Sequence, residues 1–344
     1  MDVLNGMGVE WVLFFQNLNS WLITVFKFFA FLGDQYFYFL ILPVIYWSIN
    51  PALGLQLGVI LKVSNGLNVI LKVVFHTPRP SWVSREVTTQ EFQPGFGVPS
   101  GHAQNSVVLW GTIAYFLKKW WAWGVAILII IMTGLSRLVL GVHFPIDVFS
   151  GWIIGTILLY LSLSLSKPII KWLKTKETGM QVLLVLGFTL VFLLLGSALT
   201  LFTIQTTVIP ETWIQNAVAA NPGEIINPYS LDALLISTGS LFGLAGGAII
   251  LKAQGGFQVK GSLVQHALRY ILGTLGVVII WLGLGQIFPE DQDLISYGLR
   301  YLRYALVGAW ISWWAPLLFV RLGWAAPGTG NQAKLDDLPP EPTN

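Results

Sequence analysis

The sequence predicts an all-α protein, a polytopic helix bundle that spans a membrane several times. Hydrophobic residues make up 55% of the 344 residues and charged residues only 10%, and the mean hydropathy is +0.70. Soluble domains carry about 25% charged residues, so this chain has too few charges to cover a surface that faces water. Apolar runs of about 20 residues, the length that an α-helix needs to cross the hydrocarbon core, recur along it.

The apolar runs predict nine membrane spans. They lie near residues 35–49, 52–75, 102–121, 123–140, 146–165, 180–199, 231–251, 270–287 and 301–320. Residues 1–33 contain a further apolar stretch that Gln16, Asn17 and Asn19 interrupt, which predicts an interfacial or half-inserted helix, with a tenth span as the alternative. Residues 326–344 are polar and rich in proline and glycine, which predicts a disordered tail.

Lysine residues predict the orientation of the bundle. They fall in the loops that follow spans three, five and seven: Lys118, Lys119, Lys167, Lys171, Lys174, Lys176, Lys252 and Lys260. Because positively charged loops stay on the cytoplasmic side, we expect this face to be cytoplasmic. The opposite face then carries residues 202–230, which contain no Lys or Arg, and the loops within residues 72–102 and 141–147.

Three short motifs on the predicted non-cytoplasmic face combine basic residues, histidines and one carboxylate. Their polar members are Lys72 and Arg79 of the first motif, Ser100, Gly101 and His102 of the second, and Arg137, His143 and Asp147 of the third. A phosphate ester carries spread negative charge as it reacts, and positioned cations stabilise that charge in the transition state. The combination therefore predicts phosphoryl transfer, whereas any one of these cations alone is typical of interfacial snorkelling.

The first two motifs contain groups suited to binding a phosphoryl group. Lys72 offers a point charge, and Arg79 offers a planar fork for two oxygens, as does Arg137 of the third motif. Ser100 is a predicted N-cap, and Gly101 would let an anion approach the first amides of the helix. No acidic cluster accompanies these residues, and the chain has no cysteine, so we expect neither a metal nor a cofactor.

The third motif predicts a nucleophile and its partner. Pro145 is suited to begin a helix, which puts Asp147 in the first turn, within reach of His143. A carboxylate that accepts from one ring nitrogen leaves the other nitrogen free to attack phosphorus. His102 would then protonate the leaving oxygen and later activate water. The structural alternative is that these polar residues only terminate helices, where the helix dipole favours an acid at the start.

The three motifs resemble the signature motifs of the type 2 phosphatidic acid phosphatase superfamily. This resemblance implies a six-helix core over residues 34–178, followed by additional transmembrane helices over residues 179–325, and a phosphohistidine intermediate on His143. Within the superfamily the layout is most similar to that of the glucose-6-phosphatases. The similar features are Asn68, Trp82, Phe144 and Pro145 beside the motifs, and the spans beyond the core, which include Gly239 and Gly243.

Several functions fit these features. The first is hydrolysis of a lipid phosphate, such as phosphatidate, or of an isoprenyl diphosphate, because a headgroup in the non-cytoplasmic leaflet meets the site directly. The enzymatic alternatives are hydrolysis of a small sugar phosphate and phosphotransfer to an acceptor other than water. The non-enzymatic alternative is an anion or lipid transporter. A nucleic-acid partner is not expected, since the net charge is only +3 and the chain contains no basic block.

Three further features leave alternatives open. Lys62, Asn65 and Asn68 recur on one face of the second span, where they support the site or pair with one another. Asp34, at the outer start of the first span, is expected to pair with a catalytic cation. Residues 202–230 are expected to cap the site or select the substrate, with packing or binding of a partner as the alternative. Residues 80–82, which include Trp82, are a candidate wall of the substrate entrance.

Overall fold

The computed structural model describes residues 2–328, and the chain is helical over most of this range. The helices are α1 (Asp2–Gln16), α2 (Ser20–Leu32), α3 (Gln35–Val44), α4 (Pro51–Phe75), α5 (Pro80–Val83), α6 (Gly101–Leu117), α7 (Trp120–Val139), α8 (Pro145–Leu173), α9 (Thr178–Thr206), α10 (Glu211–Ala220), α11 (Asp232–Ala253), α12 (Leu263–Ile287), α13 (Leu294–Ala309) and α14 (Ala315–Arg321). Two π-helical turns, Ile45–Ile49 and Trp310–Trp314, continue α3 and α13. The predicted all-α class is confirmed.

Six of the described helices are long and apolar enough to cross a membrane. They are α4, extended to Val83, and α7, α8, α9, α11 and α12. If the pair α2–α3, which is bent by 53°, forms one span, the number is seven. All nine predicted spans fall on helices. The two remaining predicted spans begin with shorter helices, α6 with 17 residues and α13 with 16. The helix α6 ends at Leu117, before Lys118, which adopts a left-handed conformation with φ of 53°.

Both ends of the described chain differ from the sequence-based prediction. The single N-terminal helix expected over residues 1–33 is two helices, α1 and α2, and the break falls at Asn17–Asn19, the polar residues that interrupt the apolar pattern. At the other end, Ala326 and Pro327 are not disordered but form a short antiparallel pairing with Phe257–Gln258. The rest of the predicted tail, residues 329–344, lies outside the described residues.

The described chain forms two compact units. The first comprises Met1–Phe39, Ile60–Ile169 and Val191–Leu234. Its α6 and α8 approach each other closely because two glycines of α8 face the α6 backbone. A Cβ at Gly151 would lie 2.6 Å from the Ser100 carbonyl oxygen, and one at Gly155 would lie 2.6 Å from that of Gln104. Small residues in membrane helices permit such close packing. The start of α8 therefore lies beside the start of α6.

A ladder of buried polar side chains joins α4 to α6 within the first unit. Ser64 donates to the Asn105 side chain at 2.7 Å, and Gln104 donates to the Ser64 hydroxyl at 2.8 Å. Asn68 donates to Gln104 at 2.9 Å, and Asn105 donates to Asn65 at 2.6 Å. Asn65 and Asn68 of the predicted polar face thus pair with α6 away from water, whereas Lys62 is not part of this ladder.

Within the described residues, the second unit comprises residues 40–59, 170–190 and 235–328. Here Gly239 and Gly243 of α11 face the backbone of α13, so a Cβ at either position would collide with the carbonyl oxygen of Tyr301 or Ala305. The two π-helical turns also meet in this unit. Tyr46 donates to the Ser312 carbonyl at 3.0 Å, and Trp47 donates to that of Ile311 at 2.9 Å. Such turns free carbonyl groups that other side chains then satisfy.

Candidate active site

His143 and Asp147 form a buried pair at the junction of α7 and α8. The helix α8 begins at Pro145, as predicted, and this puts the Asp147 Oδ2 atom 2.9 Å from His143 Nδ1. The same oxygen accepts from the Phe144 amide at 2.9 Å, which fixes the carboxylate. Gly97 packs directly against it, since a Cβ there would lie 3.0 Å from Oδ2. The imidazole is therefore held at one nitrogen.

The other ring nitrogen faces a guanidinium group. Arg79 Nη1 lies 3.3 Å from His143 Nε2. Because a guanidinium group only donates, Nε2 is the acceptor, and the network assigns the proton to Nδ1, which donates to Asp147. This tautomer leaves the lone pair on Nε2, the nitrogen that a nucleophilic histidine needs.

His143 lies between α7 and α8, outside the membrane-spanning helices, and its pKa falls well below the usual 6.5. Burial is the largest cause, and the nearby charges of Arg79, Lys72 and Arg137 lower the pKa further. The imidazole is therefore neutral at physiological pH, and a neutral imidazole is the form that can attack an electrophile.

The two cations of the first motif are held by the loop between α5 and α6. Arg79 donates from Nε to the Gly95 carbonyl at 2.6 Å and from Nη1 to the Val142 carbonyl at 2.7 Å. Lys72 donates to the Phe96 carbonyl at 2.5 Å and to that of Gly97 at 3.1 Å. Both cations are thus fixed by backbone oxygens, and this loop determines where their charge lies.

Arg137 ends α7 and has no exposed surface. Its Nη2 atom lies 2.7 Å from Glu91 Oε2, a residue that the sequence analysis did not single out. Within the described part of the chain, its Nε and Nη1 atoms have no hydrogen-bond partner. No spacing rule relates Glu91 to the three motifs, so the sequence offers no signal for this contact.

The second motif begins α6, with Ser100 as its N-cap, as predicted. The Ser100 hydroxyl accepts from the Ala103 amide at 3.5 Å, and the Ser100 amide donates to the Asp147 carbonyl at 2.8 Å. Asn68 of the polar ladder donates to the Pro99 carbonyl at 3.2 Å, which links the ladder to the residue that precedes the Ser100 cap. A Cβ at Gly101 would lie 3.2 Å from Asn68 Oδ1, so a larger residue would crowd this start of the helix.

Asp34 lies beside His102, and this identifies the basic group that the sequence left unassigned. Its Oδ2 atom is 3.7 Å from His102 Nε2, which makes no hydrogen bond to any described residue. His102 also interacts electrostatically with His143 and Arg137. The second and third motifs therefore share one electrostatic environment, with a carboxylate on the far side of His102.

The segment that connects α9 to α11 packs against the first motif. The rings of Trp82 and Phe96 form a buried cluster with Ala217 of α10, and the Asn216 side chain donates to the Trp82 carbonyl at 3.0 Å. Trp82 is only 2% exposed, so packing is its main role. A narrow cleft lies beside it, lined by Arg79, Ser81, Trp82, Thr89, Glu91, Phe92, Gln93, Val142 and Asn221.

Residues 2–328 contain no cluster of three or more His, Cys, Asp or Glu side chains arranged to hold a metal ion. Lys72, Arg79, Arg137 and the first amides of α6 are the groups that the sequence predicts to bind an anion. Such a set can neutralise a phosphoryl group with side-chain and backbone donors.

Comparison with known families identifies both halves of the chain. Residues 53–171 match the PAP2 superfamily, and residues 235–327 match the transmembrane extension of PAP2 superfamily phosphatases. The predicted resemblance to type 2 phosphatidic acid phosphatases is thereby confirmed.

Similar proteins differ in how much of the chain they cover. Glucose-6-phosphatase 3 of Homo sapiens is 27% identical over an alignment of 360 residues, gaps included, which covers 94% of this chain and 96% of that protein. The Bos taurus protein is 25% identical, with 89% and 92% covered. Lipid phosphate phosphatase delta of Arabidopsis thaliana is 26% identical over 171 residues, which cover 45% of this chain and 41% of that protein. The glucose-6-phosphatase-like layout therefore extends over most of the chain.

Two solved structures are similar to part of the chain. The transmembrane PAP2 type phosphatidylglycerolphosphate phosphatase from Bacillus subtilis has a TM-score of 0.43 and 24% identity, covering 49% of this chain and 89% of that one. The structure of Aquifex aeolicus LpxE has a TM-score of 0.40 and 26% identity, covering 45% and 93%.

Proposed function

The chain carries the PAP2 superfamily domain with its transmembrane extension and is a phosphatase, and we propose that it hydrolyses phosphate esters through a phosphohistidine on His143. The observation that carries this proposal is the fixed tautomer of His143. Its Nδ1 atom donates to Asp147 at 2.9 Å, while Nε2 keeps its lone pair and faces the cations. A nucleophile held by a partner at its other end is the arrangement that covalent catalysis requires.

In the first step, His143 Nε2 attacks phosphorus as the ester P–O bond breaks. Lys72, Arg79, Arg137 and the first amides of α6 bind the non-bridging oxygens, whose charge they stabilise in the transition state. Protonated His102 gives its proton to the leaving oxygen, so the alcohol departs neutral. The ring of His143 becomes cationic on forming the P–N bond, and the Asp147 carboxylate stabilises that charge.

In the second step, water hydrolyses the phosphohistidine. His102, now neutral, removes a proton from the water molecule whose oxygen attacks phosphorus. The P–N bond breaks, its electron pair returns to His143 Nε2, and inorganic phosphate leaves. His102 ends the cycle protonated, as it began, so the two steps balance without a cofactor.

Lipid phosphates and isoprenyl diphosphates are the first substrate class of this proposal. The site lies in a protein with several membrane-crossing helices, so a lipid headgroup can reach it without leaving the interface. Small sugar phosphates are the second class, and one observation favours them. The glucose-6-phosphatases resemble the chain over nearly its whole length.

A side-by-side assay tests the reaction and its substrate class. Purified protein is given phosphatidate, an isoprenyl diphosphate and a hexose phosphate, and inorganic phosphate release is measured for each. We expect turnover of at least one of them, and the preferred substrate decides between the two classes. A protein that moves phosphorylated compounds across vesicles without releasing phosphate would instead be a transporter. Labelled phosphate passing to an alcohol rather than to water would identify a phosphotransferase.

Replacement of the nucleophile is the decisive variant. His143→Ala should lower kcat by about 10⁴-fold or more, as removal of a nucleophile does in hydrolases. The same variant should no longer retain acid-labile labelled phosphate after rapid quenching. His266→Ala, which changes a histidine on α12 outside the three motifs, is the matched control and should remain active. Undiminished phosphate release by His143→Ala would contradict the proposed intermediate.

The lysine-poor loops also support a site on the non-cytoplasmic face. The expected result is that right-side-out vesicles, made from cells that produce the protein, hydrolyse a membrane-impermeant phosphate ester before permeabilisation. Inverted vesicles should hydrolyse it only after detergent is added. The reverse pattern would place the site on the cytoplasmic face and contradict the orientation inferred from Lys118, Lys174 and the other basic loop residues.

A further inference from the structure

Arg137 has more hydrogen-bond donors than the protein satisfies. Its side chain has no exposed surface, and within residues 2–328 only its Nη2 atom has a side-chain acceptor, Glu91 Oε2 at 2.7 Å. Leaving a buried charged donor without an acceptor destabilises the folded protein. The Nε and Nη1 atoms, both without a described partner, are therefore suited to a ligand anion.

The loop that carries Glu91 is hydrogen-bonded to the turn that follows Arg137. The Gln90 amide donates to the Leu140 carbonyl at 3.1 Å, three residues beyond Arg137. The Gln16 side chain of α1 donates to the Thr88 carbonyl, and the Thr89 hydroxyl donates to the Glu91 carbonyl at 2.7 Å. The carboxylate and the guanidinium group are thus attached to one small region of backbone.

Charge also favours this pairing. Glu91 lies in the loop between α5 and α6, outside the membrane-spanning helices. Burial raises the pKa of Glu91, but the charge and hydrogen bond of Arg137 outweigh it and hold the pKa below the usual 4.5. The carboxylate is therefore ionised at neutral pH. It also interacts favourably with Arg79, whose own charge repels Arg137.

We propose that Glu91 is a positioning residue for Arg137: its carboxylate fixes the guanidinium plane, so that the remaining donors face the phosphoryl oxygens. The inference rests on the phosphatase reaction proposed above. A long arginine side chain loses considerable rotamer freedom when it binds an anion, and a fixed partner removes that cost beforehand. In this role Glu91 acts on the phosphoryl group only through Arg137.

The experiment compares variants of Glu91 in the purified full-length protein. Vanadate, which mimics the transition state, is the probe, and its inhibition constant is measured together with KM and kcat. Glu91→Ala should weaken vanadate binding roughly tenfold or more, the value of a hydrogen bond between charged groups. KM should rise by more than kcat falls. Glu91→Gln, which keeps an oxygen acceptor for Nη2, should restore most of the affinity.

Two further variants guard against effects on folding. Glu86→Ala removes an exposed carboxylate from the same loop and should leave vanadate binding unchanged. Glu91→Asp keeps the charge but shortens the reach to Nη2, so an intermediate loss of affinity is expected even where Glu91→Ala fails to fold. In the Arg137→Met background, Glu91→Ala should have no further effect on vanadate binding, because the group that it orients is gone.

Opposite results would overturn the inference. If Glu91 competed with phosphate for Arg137, Glu91→Ala would bind vanadate more tightly. Unchanged binding in Glu91→Ala, or an equal loss in the Arg137→Met background, would likewise exclude a positioning role. Failure of this inference can be distinguished from failure of the proposed function. A wild-type protein that neither hydrolyses esters nor binds vanadate overturns the function, whereas normal wild-type activity with an unaffected Glu91→Ala overturns only the role of Glu91.

Discussion

Two arginines with no exposed surface, Arg137 and Arg269, have opposite environments. Arg269 of α12 donates to the carbonyls of Trp324, Trp47, Val259 and Lys260, so each of its three nitrogens has an acceptor. Arg137 has one carboxylate partner and two nitrogens without an acceptor in the described chain. Both are buried cations, but of the two only Arg269 has a described hydrogen-bond acceptor for each of its nitrogens.

This is the difference expected between a structural cation and a cation that binds a ligand, the role proposed for Arg137. Carbonyl groups from four chain positions accept hydrogen bonds from Arg269, and its guanidinium group thereby links those positions. The free donors of Arg137 cost free energy in the folded protein, and an anion with several oxygens removes that cost by binding. His102 Nε2 and Asp147 Oδ1, also buried and without a hydrogen bond in residues 2–328, extend the pattern to the rest of the site.

The largest expected effect comes from replacing each arginine by methionine, which has similar bulk. Arg137→Met should lower kcat/KM by about 10²–10³-fold, the usual cost of one donor to a transition-state oxyanion. Its melting temperature in detergent should stay the same or rise. Arg269→Met should leave the kcat of the folded fraction nearly unchanged but destabilise the protein by about 3 kcal/mol or more, since several carbonyls lose their donor.

Both variants are needed, because each is the control for the other. Thermal unfolding followed by intrinsic fluorescence gives the stability, and phosphate release gives the activity. A large stability loss in Arg137→Met, or an activity loss in folded Arg269→Met that matches that of Arg137→Met, would abolish the distinction between the two arginines.

A smaller effect is expected at Asp34, which lies beside His102 as Glu91 lies beside Arg137. Asp34→Asn removes the charge 3.7 Å from His102 Nε2 and should lower kcat about tenfold with alkyl phosphates, whose leaving oxygen needs a proton. Aryl phosphates, with good leaving groups, should be hydrolysed almost normally. Equal losses with alkyl and aryl substrates would show that Asp34 does not act through the acid.

The smallest expected effect is a shift in pH dependence. In the proposed mechanism only neutral His143 attacks phosphorus, and its pKa lies well below 6.5 because of burial and the nearby cations. Activity that requires this group is therefore present above the lowered pKa and is lost as the pH falls through it. In kcat/KM profiles with an aryl phosphate, Arg79→Gln should move the acid limb to higher pH, because one cation fewer opposes protonation. An unmoved limb would contradict the electrostatic coupling of the two residues.

Contacts within one helical turn could be predicted, and contacts between distant segments could not. The Ser100 cap, the start of α8 at Pro145 and the reach of Asp147 to His143 all follow from spacings of a few residues. The Glu91–Arg137 pair joins residues 46 positions apart, and Asn216 meets Trp82 across 134 positions. The same limit applies to α1 and α2, where the sequence marked the polar break but predicted one helix.

The sequence by itself determined that the chain is an α-helical membrane protein and which residue types make up its phosphoryl-transfer motifs. The composition determines that much of the protein surface faces lipid and not water. Helical periodicity and the short spacing of the third motif determine the local geometry. Tertiary structure alone decided which carboxylate meets which cation. Loops have no periodicity that fixes their path, and the final position of Glu91, Asp34 or Asn216 depends on how several helix ends pack at once.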